Sequence, residues 1–249
     1  MRRFTLLRYL SLVAIFAASA VSGLAGDYSR QATPLWDHLF VGAGLPPGVK
    51  RPSQVVVVHS PDRLSKVIVR HVESKADEHV SLIVSGRIGN LSINIGPGVG
   101  SELLWAPDSQ SFFVTTSDGG RNGPYRLILV GRSGSGLRNR DISELIYSVF
   151  GHPVRCGWPE PPNVAGITWL PSLHILVAAE IVNHSNCDSF GTFKAYEVDP
   201  DNLAITRRLG QLDVKRGFGG LLGRELLHAP DGCIVHPKSC YVPANHESN

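Results

Sequence analysis

Charge is scarce in this chain. Only 18% of its 249 residues are Asp, Glu, Lys or Arg, against 43% hydrophobic, a balance that excludes a disordered tail and a multi-span membrane protein. No acidic residue precedes Asp27, so the formal charge of +3 is accounted for by Arg2, Arg3 and Arg8; residues 26–249 hold 21 charges of each sign. A neutral body has no field with which to neutralise phosphates, which excludes nucleic acid as an electrostatically captured partner. Several chemical signatures are missing too. The glycine-rich stretch Gly131 to Gly136 is not G-x-G-x-x-G and lacks a following Lys-Ser or Lys-Thr. It also fails as a nucleophile elbow, because Ser135 stands where the second glycine around Ser133 would be needed. It reads as a flexible connector, and no cofactor is expected.

What the N-terminus does contain is a secretory pattern: a basic segment through Arg8, an apolar stretch from Leu10 to Ala20, then small residues. Residues 1–25 are expected to be a cleaved signal peptide, cut after Ala20 or after Ala25. About 16 mostly apolar residues fall short of the roughly 20 that a spanning helix needs, so no stable membrane span is expected after cleavage. The Arg2-Arg3 pair before Phe4 leaves a twin-arginine route open. The expected location is periplasmic or secreted.

Cysteine is sparse but even in number. Cys156, Cys187, Cys233 and Cys240 all lie in the mature part, as an oxidising compartment favours. Of three possible pairings the sequential one, 156 with 187 and 233 with 240, is simplest, and the first loop would contribute about 3.5 kcal/mol in the chain-entropy model. Zinc is the alternative, since His228, Cys233, His236 and Cys240 offer four donors, but the C-x-x-C knuckle is absent. Disulfides are expected and no metal is assigned.

The remaining pattern is dominated by short Val- and Ile-rich runs bounded by Gly, Pro, Asp or Ser, the mark of strands. Residues 26–53, with Pro34, Pro46, Pro47 and Pro52, read as an extended lead-in. From residue 54 onward strands are expected at 54–59, 66–72, 79–84, 91–95, 103–105, 111–116, 125–130, 167–169, 174–181, 192–198 and 204–209. One helix interrupts them over 141–150, where Ile142, Leu145, Ile146, Val149 and Phe150 recur at helical spacing and Asp141 with Glu144 makes a capping box.

An internal repeat organises these strands. His59-Ser60-Pro61-Asp62, Trp105-Ala106-Pro107-Asp108, Trp169-Leu170-Pro171-Ser172 and His228-Ala229-Pro230-Asp231 each precede an apolar run. In each, Pro fixes φ at a turn and Asp or Ser supplies turn chemistry, which predicts a hairpin used four times. The stretch from Trp105 to Val114, continuing through Ser117-Asp118-Gly119-Gly120 to Tyr125 and Leu129, resembles the W-S-P-D-G blade of WD-like repeats in TolB-type β-propeller proteins. That resemblance implies an all-β, propeller-like domain over 54–249, with about three full blades, a partial one and the helical insertion 141–150. It also implies interaction with a protein or other cell-envelope component.

Candidate chemistry is thin. A Ser, His and Asp set can be picked from any chain with ten histidines, so no catalytic residue is assigned. His71 and His79 flank a turn and face a choice between metal ligation and a solvated strand face. His59 and His228 occupy the position of tryptophan in the other copies and are expected to pack beside their turns. Equivalent positions in repeats maintain the fold, so recognition is expected in the insertions. Trp158, and Phe190 in the 183–190 loop, are the interaction candidates, since aromatic anchors on scaffolded loops dominate interfaces. The reading is an exported binding module. A hydrolase-like enzyme with its site in a central channel, or a purely structural envelope protein, is the alternative.

Overall fold

Three separate antiparallel meanders account for nearly every strand. The computed structural model describes residues 33–35, 55–73, 78–96, 100–117, 124–134, 136–150, 161–181 and 191–230, all within a unit spanning 31–249. The leader, both disulfide candidates, Trp158 and Phe190 lie outside the described residues. A short strand β1 (Thr33–Pro34) comes first. Sheet I then contains β2 (Val55–His59), β3 (Ser65–Glu73), β4 (Glu78–Gly86) and β5 (Leu91–Asn94). Sheet II contains β6 (Ser101–Trp105), β7 (Ser111–Ser117), β8 (Tyr125–Ser133) and β9 (Gly136–Asp141). Sheet III contains β10 (Asn163–Trp169), β11 (Ile175–Glu180), β12 (Phe193–Asp199) and β13 (Ala204–Gly210). The all-β class is therefore observed, and no sheet closes on itself among the described residues.

The first hairpin of every sheet is built on the repeated turn. Arg63 N–H donates to Ser60 O, Ser109 N–H to Ala106 O and Leu173 N–H to Leu170 O, at 2.9, 3.0 and 2.9 Å. Pro61, Pro107 and Pro171 take the second position of these turns, where a fixed φ is pre-organised. The third position caps the chain two residues on: Asp62 Oδ1 accepts Leu64 N–H, Asp108 Oδ1 accepts Gln110 N–H, and Ser172 Oγ accepts His174 N–H. The fourth adopts left-handed backbone with φ of 61°, 63° and 61° at Arg63, Ser109 and Leu173. The fourth copy differs. His228 ends a helix, α3 (Arg224–His228), rather than a strand, because Leu226 lies buried on one side of that turn; residues 231 onward lie outside the described residues.

Further differences follow along the chain. The glycine-rich stretch is a tight hairpin rather than a connector: Ser133 pairs with Gly136, and Gly134 takes φ +59° at the turn between β8 and β9. The lead-in contributes β1 to the β6 edge of sheet II and buries Leu35 completely. The predicted helix starts later, as α1 (Ser143–Phe150), because Asp141 still belongs to β9; its carboxylate accepts Ser143 N–H at 2.8 Å. After β13 the chain forms α2 (Gln211–Phe218), a short 3-10 turn and α3, none of them expected from the sequence. Among the described residues no helix is long and apolar enough to cross a membrane.

Sheet II is sandwiched. Alternate side chains Leu103, Trp105, Phe112, Val114, Ile128 and Val130 join one core with Val58, Val67, Val69, Val80 and Leu82 of sheet I. The intervening Leu104, Phe113, Leu127 and Leu129 join a second core with Ile167, Trp169 and Ile175 of sheet III and Ile146 of α1. Burial on both faces explains runs such as Phe112-Phe113-Val114 with no polar alternation. The sheets are also tied by polar contacts: Asp62 N–H donates to Ser109 Oγ at 3.1 Å, and Trp169 Nε1 donates to Leu104 O at 3.2 Å. Gly166 admits the Phe113 ring, which stacks 5.8 Å from Trp169; a Cβ at 166 would run into that ring. α2, α3 and the turn between them add Val214, Leu226 and Leu222 to the core of sheet III.

Candidate functional site

Buried polar side chains gather at the end of the strands opposite the repeated turns. β6 starts there with Ser101 and Glu102, β7 ends with Thr115, Thr116 and Ser117, β10 starts with Asn163, and β11 ends with Glu180. All seven are below a tenth exposed, so their polar atoms must find partners within the protein. Ser101 Oγ lies 3.0 Å from Thr116 Oγ1 across the β6–β7 ladder. Thr115 Oγ1 accepts Gly166 N–H at 3.0 Å, and Asn163 Oδ1 accepts Tyr125 N–H at 3.0 Å, so both bonds run between sheets II and III.

Glu180 is the most constrained of these groups. It is 1% exposed, accepts a bond from Asn163 Nδ2 at 3.3 Å, and hydrogen-bonds the Glu225 carboxyl of α3. Burial, then the charge of Glu225, push its pKa up to about 9, so it keeps its proton at neutral pH and donates it across the pair. Two carboxyl groups sharing a proton can act as an acid and a base in catalysis. Here the pair joins β11 to α3, with Glu180 enclosed and Glu225 partly exposed. Nearby, the Arg126 guanidinium approaches Asp141 at 3.8 Å, and burial raises Tyr147 to about 12. Ser143 Oγ accepts Leu127 N–H and ties α1 to β8.

The histidines separate. His71 pairs with Val80 and His79 with Val72, which puts the two rings on opposite faces of sheet I and rules out a shared metal ion. His59 does not pack beside its turn. It is exposed, because among the described residues no sheet lies against that face, and His228 is exposed at the end of α3. Among the described residues no group of three His, Cys, Asp or Glu side chains could hold a metal. Of the zinc alternative only His228 is described.

The insertions share an origin. Residues 151–160, with Cys156 and Trp158, join α1 to the start of β10, and residues 182–190, with Cys187 and Phe190, join β11 to β12. The residues flanking them meet at the polar end: Lys194 Nζ of β12 lies 5.6 Å from the centre of the Phe150 ring, and Gly191 N–H donates to Ile181 O at 2.7 Å. The Glu180–Glu225 pair has no signal in the sequence, because α3 is only five residues long and Glu180 follows an unbroken apolar run.

No family model, curated protein or solved structure matches the chain. The fold and site define a class only: an all-β protein of sequential antiparallel meanders with a polar end.

Proposed function

We propose that the protein is an exported, β-propeller-like binding module that recognises a protein or other cell-envelope component through its polar, loop-bearing end. The observation that carries this reading is the common anchorage of the 151–160 and 182–190 segments on sheet III and α1. Long connections held on a rigid sheet are where recognition resides, and these carry Trp158 and Phe190. Three successive four-stranded meanders with equivalent first turns support the blade reading. The sequential disulfide 156–187 would cross-link the two segments. A hydrolase-like reading would need ionisable groups open to a substrate, and Glu180 is instead enclosed and spoken for by Asn163.

Intact mass before and after reduction and alkylation tests export and pairing. A mature chain beginning near Gly26 with no alkylatable thiol is expected, and retention of the leader would overturn export. Recognition is tested by a Trp158→Ala, Phe190→Ala double variant in cross-linking to envelope fractions. Loss of one specific adduct with unchanged thermal unfolding supports the module, whereas an unchanged adduct pattern refutes these anchors.

A further inference from the structure

Among the described residues nothing covers one face of sheet I, and that face differs in kind from its counterparts. The register places Val57, Ile68, Ile83 and Ser92 in one row across the sheet, with Val55, Arg70, Ser81 and Asn94 on one side of it and His59, Lys66 and Ser85 on the other. Val72 and His79 extend the first side. The corresponding face of sheet II buries Leu103, Trp105, Phe112 and Val114 against sheet I, and sheet III uses Trp169 in the same way against sheet II. In sheet I, His59 stands at the tryptophan position and Lys66 at the position of Phe112.

These replacements exclude another apolar sheet. Lys66 and Arg70 would be taken out of water without partners, a burial that unpaired cations do not survive. They also exclude a symmetric pairing of two copies, because any two-fold packing centred on Ile68 sets Lys66 or Arg70 against a like charge. Yet the face is not finished as a solvated cap, whose outer surface would be polar throughout. β2 is an unbroken Val55-Val56-Val57-Val58 run, the pattern of a strand covered on both sides, and Val55 and Val57 are each 48% exposed. An apolar row bordered by Lys, Arg, His and Ser, with no carboxylate on the face among the described residues, has the anatomy of a protein interface seeking an acidic rim. A membrane leaflet suits it less, since a pleated sheet cannot push its central row past the surrounding cations.

From this we infer that the outer face of sheet I docks an acidic amphipathic element of another protein, with the Val57, Ile68 and Ile83 row under its apolar ridge and Lys66 and Arg70 paired to its carboxylates. This surface is independent of the loop-bearing end. The test uses synthetic amphipathic peptides with a Leu ridge flanked by Glu or by Lys, titrated by fluorescence anisotropy against the full mature protein. The Glu-flanked peptides are expected to bind more tightly, to weaken about tenfold or more with Lys66→Glu, Arg70→Glu, and to lose affinity with added salt. Both residues are exposed, so the variant is expected to fold, with circular dichroism as the check. Failure of all Glu-flanked peptides to bind, or binding indifferent to the reversal, overturns the inference. So would self-association abolished by the reversal, or binding confined to phosphatidylglycerol vesicles.

Discussion

At the scale of single residues, Glu180 makes stability depend on pH in a definite direction. Its folded pKa is raised from 4.5 to about 9, so between those values the folded state holds a proton that the unfolded chain has released. Its contribution is therefore complete below the ordinary carboxyl range and is lost as pH rises toward about 9. Thermal unfolding is expected to shift downward between pH 5 and 9, and Glu180→Gln, neutral throughout, is expected to flatten that slope and raise the midpoint at pH 8. A slope unchanged in the variant would refute the assignment. Phe113 offers a second residue-level test. Its ring is fully buried between Gly166 and Trp169, so Phe113→Ala is expected to cost about 3–5 kcal/mol, measurable by urea unfolding.

Turns and helices carry the next level. The repeated hairpin turn holds a left-handed non-glycine residue in each sheet, and at Leu173 that residue is exposed and its strain is not offset by burial. Leu173→Gly is expected to stabilise by up to about 1 kcal/mol, and Leu173→Val to destabilise, because a β-branched side chain fits left-handed backbone worst. The turns were legible in the sequence because Pro, Asp and Ser act over three or four residues. The helix α3 was not. Its Arg-Glu-Leu-Leu-His stretch is too short to display a period, and it forms because Leu226 reaches the core of sheet III. Leu226→Asp is therefore expected to cost about 3 kcal/mol or more by placing a charge in that core, with hydrogen exchange rising first in β11 and α3.

For the molecule as a whole, sheet II is the keystone, since among the described residues it alone contributes alternate residues to the two apolar cores. Most strands were readable from local signals. Val and Ile runs between turn residues reflect the pleat, and the repeated Pro turn located the first hairpin of each sheet. β9 escaped because, apart from Leu137, Gly136 to Asp141 is polar on both sides, which left no alternation to detect. Local chemistry, acting over a few residues, was thus enough to determine the all-β class, the hairpin turns and most of the strands. Only the tertiary structure decided which faces meet. That assembly drew Glu180 against Glu225 across 45 residues of chain, parted His71 from His79, and left Val55 and Val57 of β2 open to solvent. Side-chain alternation tells which residues share a face, but what covers that face depends on packing between elements far apart in the chain.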